Sequence, residues 1–119
     1  MAFDVVSSAL ESGVQVLTLS GTMTMGSQLQ RFEWMVENLL KEQHTRIVVD
    51  MSKIGYLDSS AIGVLVACQS LAKNSGGQLR LAAVGDRVGM IFKMAGVVGV
   101  LVVDTTTDEA VLALSPNTR

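Results

Sequence analysis

The chain reads as a single α/β domain, a mixed and mostly parallel sheet covered by about four helices. Three observations predict this. Short runs rich in β-branched and apolar residues alternate with longer segments whose apolar residues recur at helical spacing. One of the short runs, Ile47-Val48-Val49, is apolar without a break, the pattern of a strand covered on both faces. No linker divides the 119 residues, a length that suits one domain.

The elements follow in order. Residues 3–9 form a weak strand, expected at an edge and antiparallel to its successor because only a short turn at Gly13 separates the two. Residues 14–19 form the second strand, which Ser20-Gly21-Thr22 ends. Ser27 and Gln30 have capping-box spacing for a helix over 27–43, with Leu29, Phe32, Val36, Leu39 and Leu40 on one face. Residues 46–51 form the third strand, and Gly55 breaks the chain after it. Asp58 or Ser59 caps a second helix reaching about Asn74, its first half apolar nearly all round, and Gly76-Gly77 stops it. Residues 78–84 form a strand, and Asp86 caps a short helix that Gly96 ends. Residues 99–103 form the last strand. Thr106 and Glu109 have capping-box spacing for a final helix through Leu114. The expected domain is 1–114, with 115–119 as a flexible tail containing Pro116.

Composition narrows the function. The chain is 49% apolar and 17% charged, with a net charge of −2, so neither disorder nor a nucleic-acid footprint is expected. The longest apolar stretches, 61–68 and 95–103, are too short to span a bilayer, and the first residues lack the pattern of a signal peptide. Cys68 is the only cysteine and His44 the only histidine, which fits a cytoplasmic protein and offers no zinc cluster. No cofactor is expected.

Two segments carry a resemblance. One is Arg46-Ile47-Val48-Val49-Asp50-Met51-Ser52; the other is Tyr56-Leu57-Asp58-Ser59-Ser60-Ala61-Ile62-Gly63. Together with the element order they make the whole chain resemble the STAS domain family, and within it the bacterial anti-sigma factor antagonists. The family pattern is a strand ending in Asp, a short loop, then Asp-Ser-Ser-Gly opening a helix. Asp50, Asp58, Ser59 and Ser60 match it, while Ala61 stands where the family has glycine. Thr22-Met23-Thr24-Met25-Gly26 also departs from the family, which is more polar there.

The resemblance implies partner switching. The unmodified protein binds an anti-sigma factor, often a serine kinase, and so frees a sigma factor for transcription. Phosphorylation ends the complex. It implies Ser59 as the phosphate acceptor, with Ser60 as second choice and Asp58 as its neighbour. A phosphatase is a further expected partner. The expected partner-facing residues are Thr22, Met23, Met25, Gly26 and Ser27 before the first helix, and Ala61, Ile62 and Gly63 in the second. Some family members lack the switch and serve as scaffolds or transporter-associated domains.

Elementary chemistry offers plainer readings of the same residues. Serine and aspartate at a helix start commonly act only as caps. Met23 and Met25 either tuck into the core or form an adaptable contact surface. Trp34 and Met35 are either covered by neighbouring elements or form an exposed patch. Cys68, in an apolar stretch, reads as a buried and inert thiol. An enzyme using Ser59 as nucleophile would need a base, and the one histidine follows another helix's end. Gly21 and Gly26 have the glycine spacing of a phosphate-binding loop, but Ser27 stands in place of its lysine. A phospho-aspartate receiver centred on Asp50 would need further acids, and Leu19-Ser20-Gly21 supplies none.

Overall fold

A computed structural model describes residues 3–115. The strands are β1 (Asp4–Ala9), β2 (Gln15–Met23), β3 (Arg46–Leu57), β4 (Gln78–Ala82) and β5 (Val103–Asp104). The helices are α1 (Ser27–Lys41), α2 (Ser59–Asn74), α3 (Asp86–Ala95) and α4 (Thr107–Leu114). The five strands form one sheet in the order β1-β2-β3-β4-β5. Only β1 runs antiparallel; the other neighbouring pairs are parallel. The mixed, mostly parallel sheet and its four helices are those read from the sequence.

Hydrophobic burial divides between two cores. The larger contains Leu17 and Leu19 of β2, Val49 and Met51 of β3, Phe32 and Val36 of α1, and Leu65 of α2. Val88 and Phe92 of α3 join it, and Phe3 meets Phe32 edge to face at 6.3 Å. The smaller core sets Val16, Val48 and Ala82 against Ala110 and Leu114 of α4. Successive residues of β3 therefore serve different cores, Val48 the smaller and Val49 the larger, as the two-residue period of a strand requires. That is why the run around Ile47 is apolar without alternation.

Several boundaries differ from expectation. β2 does not end at Ser20, nor does Gly55 end β3. The two strands stay paired as far as Met23 and Leu57, with register shifts between Thr18 and Ser20 and between Gly21 and Thr22. Gly55 is left without a partner between the Gly21–Ile54 and Thr22–Tyr56 pairs, so it is a bulge within a continuing strand. Helix α1 is capped by Gly26, at φ 152°, and Ser27 is its first helical residue with no side-chain cap bond. Gly85 likewise replaces Asp86 as the cap of α3. Residues 99–101 are not strand; the chain turns there and joins β4 only at Val103 and Asp104.

Other signals fall where they were read. The Thr106 side chain accepts the Glu109 N–H at 3.1 Å, and Gly96 closes α3 at φ 74°. Gly76, at φ 84°, ends α2 through paired bonds: its N–H donates to Lys73 C=O at 3.1 Å, and the Gly77 N–H donates to Ala72 C=O at 2.9 Å. Ser115, expected to begin the tail, is tied back to α4 by hydrogen bonds to the Val111 carbonyl. Pro116 and the remaining residues of that expected tail lie outside the described residues.

Cys68 is fully buried. Burial first, then the nearby charges of Glu33 and Glu37, push its thiol pKa up to about 12. A thiol so rarely ionised is unreactive. In mildly alkaline buffer, native protein is expected to resist a colorimetric thiol reagent that labels it at once in denaturant. Equal labelling rates in both conditions would contradict this placement.

Candidate functional site

The site forms where the extended ends of β2 and β3 arrive side by side. From Met23 the chain turns through Thr24, Met25 and Gly26 into α1; from Leu57 it passes Asp58 directly into α2. Asp58 ties these two exits together. Its N–H donates to the Met23 carbonyl at 3.0 Å. Its carboxylate accepts the Ala61 N–H at 2.9 Å as the cap of α2, and its second oxygen accepts the Met25 N–H at 2.9 Å. The cap expected at this position is therefore also the fastener of the β2–α1 loop.

Partial burial works against the Asp58 charge, but the N–H groups of Met25, Ala61 and Ser60 outweigh it and hold the carboxyl below its ordinary value. A carboxylate whose folded pKa is depressed adds stability that is fully present above the unfolded pKa and is lost as pH falls through the folded one. Asp58→Ala is expected to cost about 1–2 kcal/mol at neutral pH by removing the cap. Urea melts should show the gap from wild type narrowing as pH falls below the ordinary carboxylate value and on through the depressed folded one, below which both proteins lack the charge. A gap independent of pH would show that the charge contributes nothing.

Ser59 follows as the first residue of α2 and is exposed. Ser60 is half-buried beside it. The helix start gives this corner a partial positive charge and N–H groups without intrahelical partners. Met25 is 77% exposed whereas Met23 is fully buried, so the two methionines divide between the two roles open to them. Gly26, Ser27 and Gly63 are exposed and Thr22 is half-buried. Ala61 is fully buried and Ile62 nearly so, which points their side chains into the core. Met25, Gly26 and Leu29 line a shallow depression with Val64 of α2, so the β2–α1 loop and the second turn of α2 share one surface.

Sequence reading did not single out Tyr56, which is 47% exposed and lines an open groove with Arg87, Met90 and Ile91 on the α3 side of β3. The signal was hidden by ending β3 too early, since Tyr56 points outward only because the strand continues. Asp50 is half-buried at the level where β4 ends, and its carboxylate accepts the Ser52 N–H at 2.9 Å. His44 is exposed beyond the far end of α1, about 20 Å along that helix from the Ser59 corner. Among the described residues no group of three His, Cys, Asp or Glu side chains stands close enough to hold a metal, and no helix is long and apolar enough to cross a membrane.

A five-stranded mixed sheet covered by four helices, with an Asp-Ser-Ser helix start beside the loop before α1, defines the class as a small single α/β domain. The chain belongs to the STAS domain family, whose model matches residues 8–110. Solved structures share the fold. An anti-sigma factor antagonist from Mycobacterium paratuberculosis superposes with a TM-score of 0.79 at 18% identity, over 95% of this chain and 94% of that one. The Bacillus cell fate determinant SpoIIAA in its phosphorylated form superposes at 0.71 and 14% identity, over 92% of this chain and 98% of that one. The murine anion transporter Slc26a9 superposes at 0.69 and 16% identity, over 94% of this chain but 22% of the transporter. At such identities the likeness is one of fold.

Proposed function

We propose that this chain is an anti-sigma factor antagonist. It docks on an anti-sigma factor that is also a serine kinase, and phosphorylation of Ser59 ends the complex. The sigma factor is thereby controlled without any contact between this chain and DNA, in the cytoplasm and without a cofactor. A phosphatase resets the switch.

The observation that carries the reading is the exposure of Ser59 on the first turn of α2, beside a cap that fixes the neighbouring loop. A kinase can reach such a hydroxyl, and a phosphate at a helix start meets a favourable dipole, so the domain survives the modification. The likeness to SpoIIAA structures in phosphorylated and unphosphorylated forms supports a fold compatible with both states. The docking surface in this reading consists of Met25, Gly26 and Ser27 of the loop, Thr22 before it, and Gly63 on α2. Met23, Ala61 and Ile62 act from beneath, by shaping that surface. Ser60 is the second candidate acceptor.

The test is to immobilise wild type, Ser59→Ala and Ser59→Asp and capture partners from lysate of the source cell with ATP. Mass spectrometry then identifies the partner and the phosphorylated residue. A kinase-like partner held by wild type and Ser59→Ala but lost by Ser59→Asp, with phosphate on Ser59, is the expected result. One partner held equally by all three, with no phosphate, would make Ser59 only part of a helix start and the chain a constitutive scaffold. The likeness to Slc26a9 favours a second reading, a transporter-associated domain. Capture of a membrane transporter in place of a kinase would decide for it.

A further inference from the structure

The two edges of the sheet are unlike. β5 contributes only two residues, is joined to β4 by the Arg80–Asp104 ion pair at 2.6 Å, and packs against α4. β1 contributes six residues, paired to β2 without a register shift. Across the hairpin the Leu10 N–H donates to the Val14 carbonyl at 3.0 Å. Bonded pairs alternate along an antiparallel ladder, so Ser8, Val6 and Asp4 face β2 in turn. Val5, Ser7 and Ala9 direct their backbone N–H and C=O toward an edge that no other described strand covers. Natural edges are usually blunted by lysine, proline or a bulge. β1 has none of these, and Val6 is 59% exposed.

We propose that β1 is an interface on which a second copy of this chain pairs antiparallel, about a two-fold axis at Ser7, so that one sheet runs through both copies. In that register Val5 meets Ala9 of the second copy, Ser7 meets Ser7, and Asp4 lies opposite Leu10 rather than another acid. Each outward N–H finds a carbonyl.

Helix α1 supplies the independent support. Asp4 and Val5 share a small cavity with Gln28, Arg31 and Met35, so α1 flanks β1 at that level. The helix runs antiparallel to β2 and hence along β1. Ser7 lies two to three residues further on, about 8 Å along the strand, which equals about five residues of helix. The axis therefore passes α1 near residues 36–37. The outward strip of α1 carries Arg31, Trp34, Asn38 and Glu42, and the midpoint of Arg31 and Glu42 falls at that same level. A two-fold axis there sets Arg31 of each copy opposite Glu42 of the other. Trp34, 55% exposed, lies between these pairs against the second copy's Asn38 and Leu39. Backbone ladder and charge pattern thus select one axis.

Sedimentation velocity across a concentration series tests it on the full chain. Wild type is expected to pass from monomer to dimer as concentration rises. Ser7→Pro deletes one outward N–H and leaves the bonds to β2 in place, so it is expected to stay monomeric with an unchanged circular dichroism spectrum. Arg31→Glu places like charges together twice and is expected to weaken the dimer about tenfold, while Arg31→Glu with Glu42→Arg restores it. This charge swap reads the interface even where the proline variant folds poorly. A wild type monomeric at every concentration overturns the proposal, as does a dimer that is indifferent to the Arg31 reversal or not recovered by the double swap.

Discussion

Ser59→Asp is expected to lower affinity for the anti-sigma kinase of the proposed complex about a hundredfold, a difference of about 2.8 kcal/mol. Ser59→Ala is expected to bind as wild type. The size follows from where the charge goes. Ser59 is exposed on the first turn of α2, beside the Asp58 cap that holds the Met25 loop, and in the proposed complex a docked surface would cover it. A carboxylate or phosphate covered by groups unable to pair it suffers the desolvation cost of an isolated charge, several kcal/mol per ion. The free domain avoids that cost. In water the charge stays solvated, and the dipole of α2 favours it while Asp58 opposes it. Urea melts of the free variants should therefore agree with wild type to within about 0.5 kcal/mol. Titration calorimetry giving three equal affinities would remove Ser59 from the switch.

Gly77→Ala is expected to be severely damaging for a single added methyl, at about 3 kcal/mol and a fall of about 10 °C in Tm. The Gln78 N–H donates to the Thr45 carbonyl at 2.8 Å where β4 begins beside β3. At Gly77 the two chains lie so close that a methyl group would overlap the Thr45 carbonyl oxygen and Cβ. Backbone cannot swing aside as a side chain can, so either the Schellman closure of α2 or the first bond of β4 has to give. Gly76→Ala is the control. Its Cβ would meet nothing within 4 Å, but φ is 84°, so the cost should be about 1 kcal/mol of conformational strain. Equal melting of the two variants would show that crowding against Thr45 is soft.

Legibility in the sequence tracked how local each cause is. The Thr106–Glu109 start of α4 and the glycine closures at Gly76 and Gly96 arise within a few residues, and these boundaries could be read directly. The end of β3 could not. Gly21 and Gly55 look like chain breaks one strand at a time, yet each strand holds the other past its glycine. β5 failed for a related reason. Gly99-Val100-Leu101 has the composition of a strand, but Gln69 of α2 donates to the Val100 carbonyl at 2.5 Å and accepts the Val102 N–H at 2.7 Å. That side chain, 31 residues away in sequence from Val100, holds the chain in a turn until Val103.

At the candidate site, the Asp58 cap and the helix start at Ser59 were legible in the sequence, whereas the partition of Met23 and Met25 was not. Two methionines with the same spacing as strand neighbours take opposite fates because the strand ends between them. The bond from Met25 to Asp58 was also invisible, since it joins segments 33 residues apart.

The bulged extension of β2 and β3 has a consequence for how such a protein can change over generations. β4 pairs with β3 only as far as Asp50, so residues 52–57 carry the Ser59 corner beyond the main body of the sheet. The corner's outward side chains, Met25, Ser27 and Tyr56 among them, are exposed. If the proposed docking surface is the one used, mutations at those positions would alter recognition with little effect on folding. In the proposed role, duplicated copies of one gene could therefore drift toward separate partners while inheriting an intact scaffold, and a handful of surface substitutions would be enough to insulate parallel circuits.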